Sequence, residues 1–437
     1  MRTDRRAFLS ATGSAFAALL ASGCVTRAIG SLGSSPYPAL VSDPAGMLDL
    51  PPGFSYRIIS RLGDAMADGG TVPDRADGMG CFDLGAGRIA LVRNHELRPE
   101  HEIGGSPTSG FDRSAGGAIL PGGTTTLVLD ARTLEVDREY RSLAGTIRNC
   151  AGGVTPWGSW LTCEEDVTRA GDGLGRDHGW VFEVPAAQAG LADPVPLKAM
   201  GRFNHEAAAV DPATGIVYLT EDRDDSLLYR FIPTTRGQLA RGGRLQALVA
   251  EGLRDSRNWS GTAILPGSRA NVRWIDLENV ESPQDDLRQR GAARGATLFA
   301  RGEGIHMGEG ELYFCCTSGG AIRAGQVFRL HPGKHGSDTL ELFFESTSPE
   351  QFDYGDNLTV SPNGHLIVCE DQSGDVVENH LRGITPAGQA YPLARLRMQT
   401  EPAGVCWSPD GQTLFVNAYS PTTTFAITGP WSACGVC

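Results

Sequence analysis

The stretch from Asn149 to Asp166 reads Asn-Cys-Ala-Gly-Gly-Val-Thr-Pro-Trp-Gly-Ser-Trp-Leu-Thr-Cys-Glu-Glu-Asp. It contains a thiol that can bind a metal, then an apolar run into a Pro-Trp-Gly turn, then a second apolar run ending in acids. Two short runs rich in Val, Trp, Leu and Thr around such a turn are typical of a β-hairpin. The stretch therefore predicts a hairpin with a metal-capable side chain at its start and carboxylates at its end.

The same pattern recurs five more times along the chain. Repetition of one hairpin indicates a radial or a linear repeat architecture. Because the copies are unevenly spaced, a propeller fits them better than a solenoid, whose neighbouring repeats must stack on one another. We therefore predict an all-β fold, a six-bladed β-propeller with loop and short helical insertions, whose leading residues converge at one mouth of the axial channel. Those leading residues are Asp77, Cys150, Glu206, Glu303, Asn357 and Glu401.

Composition narrows the class of protein. The chain has 437 residues, of which 41% are hydrophobic, and its 57 glycines and 26 prolines suit a protein with many turns. The net charge of -13 argues against nucleic acid as a partner and suits a protein that binds cations. Length alone would allow two or three domains, but the repeats predict one β-propeller domain over residues 46–437.

The first 24 residues predict an export signal. Residues 2–6 carry three arginines and precede an apolar run over 7–23. This run is short for a helix that crosses a membrane. The arginine pair followed by Ala-Phe-Leu matches a twin-arginine signal, so we expect export by the twin-arginine translocase to the periplasm or the cell exterior. Cys24 stands in a possible lipoprotein site, and whether it is lipidated or cleaved off stays open. Residues 25–45 then form a linker, and the mature protein is expected to be a monomer.

The cysteines fall into separate groups. Four lie inside apolar strand patterns and are predicted core residues: Cys81, Cys163, Cys369 and Cys406. Cys434 and Cys437 end the chain as a Cys-x-x-Cys, which we interpret as a terminal disulfide or as free thiols. Cys150 differs from all of these, because it occupies the position where sister repeats carry glutamate, and this position favours a metal ligand.

Between the hairpins the sequence predicts outer strands, loops and a helix. Residues 46–100 are expected to form the first blade, beginning with a strand over 52–59. In a long later insertion Ser282 is the predicted N-cap of a helix, with proline at the first helical position and acids in the first turn. That helix would run toward Phe299 and bring Arg301 to the axis.

Carboxylates and one thiol crowd the predicted mouth. Carboxylates held close together raise one another's pKa unless cations neutralise them. Oxygen ligands suit calcium, magnesium or manganese, and a thiolate favours iron, zinc or copper, so a mixed cluster of a transition metal and calcium satisfies both. The candidate ligands are Glu96, Cys150, Glu164, Glu165, Glu206, Glu303, Asn357, Glu370, Asp371 and Glu401, and the pair Glu221-Asp222 stands in the equivalent place of its own repeat.

Arg301 stands two residues before Glu303. A guanidinium beside a metal cluster is suited to clamp two oxygens of a phosphate group. Metal ions with arginine are a recurring apparatus of phosphoryl transfer. The sequence carries no Ser-His-Asp elbow, Gly-rich phosphate loop or Rossmann fingerprint. We therefore assign Arg301 to substrate binding, and Arg301, Cys150 and Glu303 to catalysis.

Several stretches resemble the PhoX-type bacterial alkaline phosphatases, and together they cover nearly the whole chain. They are Arg93–Glu96, Asn149–Glu165, Gly201–Glu206, Tyr218–Asp222, Phe299–Gly304 and Ser408–Asn417. The resemblance implies a six-bladed propeller with ferric iron, Fe(III), and calcium, Ca2+, at the axis, which hydrolyses phosphate monoesters in phosphate acquisition. By motif, Cys150, Glu165, Glu206 and Glu303 resemble iron ligands, and Arg301 resembles a phosphate-binding residue.

One departure from that family leaves alternatives open. The family places a lysine shortly before its cysteine, whereas this chain has only Arg138, Arg141 and Arg148 there. Either an arginine takes over that role or the activity is altered. The alternatives to an exported alkaline phosphatase are a calcium-dependent propeller lactonase or esterase, and a non-catalytic propeller stabilised by calcium. Cys150 and Arg301 favour the phosphatase, because ester hydrolysis on calcium needs neither.

Overall fold

The computed structural model describes residues 35–171, 173–333, 337–372, 374 and 376–431. Over these ranges the chain forms β-strands with only one α-helix and two short 3-10 helices. The expected export signal, Cys24, Cys434 and Cys437 lie outside the described residues. Within the described ranges, none of the helices has the length and apolar character needed to cross a membrane.

The strands are labelled in chain order. The first are β1 (Leu48–Asp49), β2 (Ser55–Arg61), β3 (Ala76–Gly85), β4 (Arg88–His95), β5 (Gly122–Asp130), β6 (Val136–Thr146), β7 (Asn149–Val154), β8 (Ser159–Glu164), β9 (Val181–Pro185), β10 (His205–Val210), β11 (Val217–Glu221), β12 (Tyr229–Pro233) and β13 (Gly243–Ala250). The others are β14 (Arg269–Asp276), β15 (Gly302–Met307), β16 (Leu312–Cys316), β17 (Gln326–His331), β18 (Thr339–Glu345), β19 (Gly355–Val360), β20 (Leu366–Glu370), β21 (His380–Ile384), β22 (Ala390–Leu396), β23 (Pro402–Trp407), β24 (Thr413–Ala418) and β25 (Thr423–Thr428). The α-helix, α1, covers Leu287–Ala293, and the 3-10 helices cover Lys198–Met200 and Leu239–Arg241.

The strands form five antiparallel sheets. Their orders are β3-β4-β5-β6, β7-β8-β9, β1-β22-β21-β20-β19, β2-β25-β24-β23 and the nine-stranded β10-β11-β12-β13-β14-β18-β17-β16-β15. Strands β3, β7, β10, β15, β19 and β23, hereafter the inner strands, pack one against the next, and the series closes because β23 packs against β3. The fold is therefore all-β and propeller-like, as the hairpin repeats predicted, and its core lies between neighbouring sheets.

The two ends of the described chain close the ring together. Strand β2 pairs with β25, from Ser55 opposite Thr428 to Arg61 opposite Thr423. The expectation that the segment over 52–59 begins the first blade was wrong, because this strand lies at the outer edge of the last sheet. Strand β2 pairs with the hairpin of β24 and β25 and not with its neighbours in sequence, because this pairing satisfies the backbone hydrogen-bonding groups of β2 and β25.

The helix of the long insertion starts later and is shorter than predicted. It covers Leu287–Ala293 and follows Asp286, whereas the prediction placed its N-cap at Ser282 and its end near Phe299. Ser282 adopts φ 35°, and its hydroxyl accepts a hydrogen bond from the Asp286 amide at 3.0 Å. The serine therefore closes a turn before the helix. The Ser-Pro pattern in the sequence does mark a capped backbone turn, but this turn precedes the helix and is not its first turn.

The folded part of the chain begins before residue 46, where the linker was predicted to end. Tyr37 is buried and its ring packs edge-on against Phe54 at 5.1 Å. Asp43 accepts hydrogen bonds from the amides of Met47 and Leu48 at 2.8 and 3.1 Å. An aromatic anchor and an aspartate turn thus fix this segment to the ring, which the Ser/Gly/Pro-rich composition did not indicate.

Candidate metal centre at one mouth of the ring

Irregular pairing at the start of the inner strands brings acidic side chains together. On β3, β7, β10, β15 and β19 the first paired residue is followed directly by a register shift. A β-bulge of this kind re-aims a side chain and occurs often beside active sites. The residues that follow the first pair, here called the mouth cluster, are Asp77, Cys150, Glu206, Glu303 and Asp356. On the sixth inner strand, β23, the register shift follows Ala403, and the next residue is Gly404, which has no side chain to offer.

Cys150 lies between two carboxylates. Its Sγ is 3.4 Å from Asp77 Oδ2 and 3.3 Å from Glu206 Oε1. The ligand atoms of Cys150, Glu165 and Glu206 all lie within 4.8 Å of one another. Those of Glu206, Glu303 and Asp356 form a second such group. Glu206 belongs to both groups, so the two form one continuous cluster.

Burial and mutual repulsion disfavour the charged forms of these groups. Burial and the neighbouring Asp356 raise the pKa of Asp77, and the same two causes raise that of Glu206. Burial, together with Asp371, raises the pKa of Asp356 to about 7. Burial and then Asp77 and Glu206 raise the pKa of the Cys150 thiol. With protein groups alone, the mouth cluster can carry its charges only at a cost.

Arg301 lies at the mouth as predicted from the sequence. Its Nε donates to Asp222 Oδ1 at 2.7 Å, and its Nη2 donates to Asp222 Oδ2 at 3.0 Å and to Glu303 Oε1 at 3.1 Å. The backbone of Arg301 has φ 50°, an uncommon conformation for a residue with a side chain. Hydrogen bonds from its amide to Arg223 O and from the Thr317 amide to its carbonyl hold it there, both at 3.0 Å.

A second arginine reaches the mouth in the same way. Arg148, with φ 45°, also stands two residues before a cluster residue. Its Nε donates to Glu96 Oε1 at 2.7 Å, and its Nη2 donates to Glu165 Oε2. Of Arg138, Arg141 and Arg148, the arginines noted shortly before Cys150, only Arg148 contacts these two predicted ligands. Arg141 binds the Ile103 carbonyl, and Arg138 lies over the Tyr140 ring.

The same offset also identifies a residue that was not predicted. Arg75 stands two residues before Asp77 and adopts φ 57°. Its Nη1 donates to the Tyr419 hydroxyl at 3.0 Å, and that hydroxyl donates to Glu96 Oε2. A left-handed residue two positions before the cluster side chain is thus a repeated device of this mouth. The sequence carried the signal as a recurring arginine at that offset.

Three hairpins end their second strand with two consecutive acidic residues. In each pair, one acid lies inside a blade and the other lies at the mouth. Glu164, Glu221 and Glu370 are the last residues of β8, β11 and β20 and are fully buried in the blades. The next residues, Glu165, Asp222 and Asp371, lie at the mouth. Successive residues of a strand point to opposite sides, which explains the division.

Glu164 and Glu370, two predicted ligands, are therefore outside the cluster. Glu164 accepts hydrogen bonds from the Ile147, Gly179 and Trp180 amides and from His178 Nδ1. Glu370 accepts from Arg382 Nε at 2.7 Å and from the amides of Asp353 and His380. Their oxygens already accept hydrogen bonds from protein donors, and neither residue belongs to the two close groups of ligand atoms.

The position in the cluster that was predicted for Asn357 is occupied by its neighbour Asp356. The Asn357 Nδ2 donates to Asp356 Oδ1 at 3.0 Å, and its Oδ1 accepts from the Gly404 amide at 2.5 Å. Asn357 thus orients Asp356 and joins two inner strands. The prediction was one residue off because the hairpins were aligned without the bulge. Aligning Gly355-Asp356 with Gly302-Glu303 would have found Asp356.

Two other predicted ligands lie at the edge of the cluster. Glu96 is held by Arg148 and Tyr419, as described above. Glu401 precedes β23 and lies beside Asp371. Burial and this carboxylate neighbour raise the pKa of Glu401. These residues extend the acidic surface beyond the two close groups.

The donor set fits metal ions. Asp77 Oδ1 is buried and has no hydrogen-bond partner among the described residues, although buried polar atoms nearly always have one. The first close group offers one sulfur with carboxylate oxygens, and the second offers oxygens only. Sulfur with oxygen suits a transition metal such as iron, and a set of carboxylates suits calcium.

Comparisons with known proteins agree with this fold. The sequence profile of the family described as alkaline phosphatase PhoX matches residues 35–133 and 121–422. No curated protein sequence matches the chain. PhoX of Pseudomonas fluorescens, in complex with vanadate as a transition state analogue, has a TM-score of 0.69 at 19% identity, over 90% of this chain and 97% of that one. A gluconolactonase of Xanthomonas campestris has a TM-score of 0.41 at 14% identity, over 91% of this chain and 99% of that one.

The likeness to the Pseudomonas fluorescens structure supports the propeller-like fold. The family assignment follows from the sequence profile, whose two matched segments overlap and run continuously from residue 35 to residue 422. This span includes the whole mouth cluster and both arginines beside it. The chain therefore belongs to the PhoX family of alkaline phosphatases, and it is a phosphatase.

Proposed function

We propose that this phosphatase is an exported, metal-dependent enzyme that hydrolyses phosphate monoesters at an iron and calcium cluster on the axis of a six-bladed propeller. The observation that carries the proposal is the mouth cluster, where a buried thiol and buried carboxylates converge between two arginines. The vanadate bound to the relative from Pseudomonas fluorescens is consistent with phosphoryl transfer at such a centre.

The six blades follow if the nine-stranded sheet is two blades joined at their edges. Strands β10 to β13 pair in sequence order, as do β15 to β18, and each set begins with an inner strand. Strand β14 connects them by pairing with β13 and β18. With the other four sheets this gives six blades for the six inner strands. We interpret the domain predicted over residues 46–437, extended at its start by the segment that contains Tyr37 and Asp43, as one such propeller.

The two close groups of ligand atoms suggest how the metals are divided. We assign iron to the group of Cys150, Glu165 and Glu206, because it contains the thiol. Glu206, Glu303 and Asp356 supply oxygens only and would hold the next ion. Asp77, Asp371 and Glu401 extend the oxygen ligands toward the far side of the mouth. When bound, these metals would supply positive charge that neutralises the carboxylates and stabilises negative charge developing on the phosphoryl oxygens.

Arg301 and Arg148 are suited to bind and orient the phosphoryl group. A guanidinium holds two oxygens in a fixed plane, and the side chain of Arg301 is about one-third exposed, which leaves it accessible to a substrate. Asp222 fixes Arg301 through two hydrogen bonds, and Glu303 adds another. Arg148 is held by Glu96 and Glu165 in the same manner. In this chain Arg148 takes the role that a lysine has in the family.

The remaining parts of the proposal concern location and partners. The twin-arginine signal and the possible lipid site at Cys24 support export to the periplasm or cell exterior. The substrates would be small phosphate esters, and the phosphate released from them would serve phosphate acquisition. The acidic charge disfavours nucleic acid as a partner, and we expect the mature protein to act as a monomer.

The deciding experiment compares two substrates and measures metals on the same preparation. Protein purified from a host with an intact twin-arginine pathway is assayed with an aryl phosphate and with a lactone, and its iron and calcium are measured by elemental analysis. We expect turnover of the phosphate alone, with iron and calcium bound. Turnover of the lactone would favour the lactonase. Bound calcium without hydrolysis of any phosphoester would favour the non-catalytic propeller.

A further inference from the structure

The residue that directly precedes each inner strand makes the same backbone hydrogen bond in all six cases. Its carbonyl accepts from the amide of the residue that directly follows the strand paired with that inner strand, at 2.8 to 3.2 Å. These six residues, hereafter the rim residues, are Arg75, Arg148, Asn204, Arg301, Tyr354 and Glu401. The repeated bond places all six at equivalent positions around the mouth.

Tyr354 resembles the three rim arginines in its backbone conformation as well. It has φ 50°, against values of 45° to 57° for the arginines, and it stands two residues before the cluster residue Asp356. A bulky side chain rarely adopts this left-handed conformation, and residues held in it are concentrated at functional sites. Tyr354 thus occupies in its own sheet the place that Arg148 and Arg301 occupy in theirs.

Five of the six rim side chains contact other residues of the mouth. The contacts of the arginines and of Glu401 are described above, and Asn204 Nδ2 donates to Glu165 Oε1 at 2.7 Å. Tyr354 is the exception, because the hydroxyl of its half-buried side chain forms no hydrogen bond within the described part of the chain. This hydroxyl is not among the buried unpaired atoms, so it retains accessible surface. A ligand at the mouth can therefore reach it.

Tyr354 and Arg301 are neighbours around the mouth. Their inner strands, β19 and β15, pack against each other, and a methyl group added to Gly304 would lie 2.7 Å from the Asp356 carbonyl oxygen. The ligand atoms of Glu303 and Asp356 lie within 4.8 Å of each other. Because Arg301 and Tyr354 each stand two positions before one of these carboxylates, they flank the same part of the mouth. A substrate bound to Arg301 therefore lies beside Tyr354.

We propose that Tyr354 is a further substrate-binding residue, whose hydroxyl donates a hydrogen bond to the ester oxygen of the leaving group while Arg301 binds the phosphoryl oxygens. This inference rests on the proposed hydrolysis of phosphate monoesters. An uncharged phenol suits the ester oxygen, whereas the arginines carry the positive charge that suits the phosphoryl oxygens.

The ester oxygen requires a donor mainly while the ester is cleaved. Water adds to phosphorus and loses a proton, the bond between phosphorus and the ester oxygen breaks with its electron pair on that oxygen, and the oxygen takes up a proton from solvent. A hydrogen bond from Tyr354 stabilises the negative charge that develops on the ester oxygen before this proton arrives. The effect is greatest for a leaving group that concentrates its negative charge on the oxygen.

The test uses Tyr354→Phe in the metal-loaded full chain, with phenyl phosphate and 4-nitrophenyl phosphate as substrates. The two substrates differ by a nitro group, which delocalises the negative charge of the leaving phenolate and reduces its need for a donor. We expect kcat/KM for phenyl phosphate to fall about tenfold and that for 4-nitrophenyl phosphate to fall less than about threefold. Iron content and melting temperature should match those of the unsubstituted protein.

Tyr140→Phe is the matched control. The Tyr140 hydroxyl donates to the Gln188 carbonyl at 2.8 Å, and its strand β6 is the one farthest from β3 in their sheet, so kcat/KM should stay unchanged for both substrates. An equal loss on both substrates in Tyr354→Phe, no loss on either, or a loss accompanied by reduced iron would contradict the role of Tyr354 at the ester oxygen. Failure of the unsubstituted protein to hydrolyse either substrate would instead contradict the proposed function, and the role of Tyr354 with it.

Discussion

Glu164 inside a blade and Glu206 at the mouth are both almost fully buried but differ in their partners. Glu164 lies in a blade and accepts four hydrogen bonds, including one from His178 Nδ1 at 2.6 Å. Glu206 lies at the mouth, and its nearest neighbours are a thiol and other acids. A buried charge without compensating donors is strongly disfavoured.

The difference indicates what each region requires. In the blades, Glu164 and Glu370 are satisfied by protein donors, and Glu221, whose Oε1 has no hydrogen bond among the described residues, has the Arg288 guanidinium 3.5 Å away. The mouth instead brings acids together and leaves Asp77 Oδ1 without a partner in the described part of the chain, so its stable charged state requires cations from outside. Metal dependence should therefore be confined to the mouth, and each prediction below compares a mouth residue or condition with its counterpart in the blades.

The largest expected effect distinguishes the thiol of Cys150 at the mouth from that of Cys163 in a blade. Cys150→Ser should remove a visible thiolate-to-iron absorption band and lower phosphatase activity by roughly 100-fold or more, because a metal ligand is lost. The two side chains are nearly equal in size, so packing does not explain such a loss. Absorption spectra, iron content and initial rates on an aryl phosphate measure the outcome.

Cys163→Ser is the matched control in a blade. Cys163 is fully buried in β8, and its substitution should cost about 1–3 kcal/mol of unfolding free energy through a poorly satisfied hydroxyl. Iron content and turnover per folded molecule should stay unchanged. If both variants keep their iron and behave alike, Cys150 is not a ligand.

The next largest effect distinguishes Arg301 at the mouth from Arg382 in a blade. Arg301→Gln should lower kcat/KM by about 100-fold, because the paired donors that would stabilise phosphoryl oxygens are lost, with little change in melting temperature. Arg382→Gln should behave in the opposite way. Arg382 is bonded to the fully buried Glu370, so its loss leaves a buried charge and costs about 3–5 kcal/mol of stability. Similar kinetic losses in both variants would exclude a specific role of Arg301 in substrate binding.

The repeats and the residue types at the mouth could be predicted from the sequence because each inner strand repeats one short pattern. The hairpin alignment correctly brought Cys150, Glu206 and Glu303 together, and it brought Arg301 beside them. It failed at Asp356, because a bulge adds a residue that strand periodicity does not reveal. It also could not decide between Glu164 and Glu165, since that choice depends on which face of the strand meets His178.

Long-range pairing was the other feature that local patterns could not provide. The placement of β2 beside β25 depends on hydrogen bonds between the two ends of the chain. The recurring arginine before the cluster residues was visible in the sequence but had no meaning without the left-handed backbone that turns it to the mouth. Arg75 and Arg148 were therefore missed or left undecided.

Removal of calcium should destabilise the mouth in a pH-dependent way. Burial and then Asp371 raise the pKa of Asp356, which belongs to the group with oxygen ligands only, to about 7 without metals. Because this folded-state value exceeds the usual pKa of about 4 in unfolded chains, the stabilisation from the neutral form is fully present below about pH 4 and is lost progressively as the pH rises to about 7. The chelated protein should melt at least about 5 °C lower at pH 8 than at pH 5.

Calcium provides the control for that measurement. With calcium present the carboxylates are neutralised by bound ions, so the melting temperature should change little over the same pH range, and adding calcium back should restore it. Melting curves by circular dichroism with and without EGTA provide the comparison. Equal melting temperatures at pH 8 in both conditions would argue against structural calcium at the mouth.

The smallest expected effect concerns two adjacent residues, Glu164 and Glu165. Glu164→Gln should lower the free energy of unfolding by about 2 kcal/mol, because an amide nitrogen cannot accept the hydrogen bonds from Gly179 and Trp180. Turnover per folded molecule should fall less than about threefold, since Glu164 contacts no cluster atom. Glu165→Gln should do the reverse, lowering iron content and activity with a smaller change in stability, because Glu165 belongs to the close group with Cys150. Urea unfolding, iron analysis and kinetics on both variants distinguish the two outcomes. If Glu164→Gln lost its iron while Glu165→Gln kept it, the division of the paired acids between blade and mouth would be wrong.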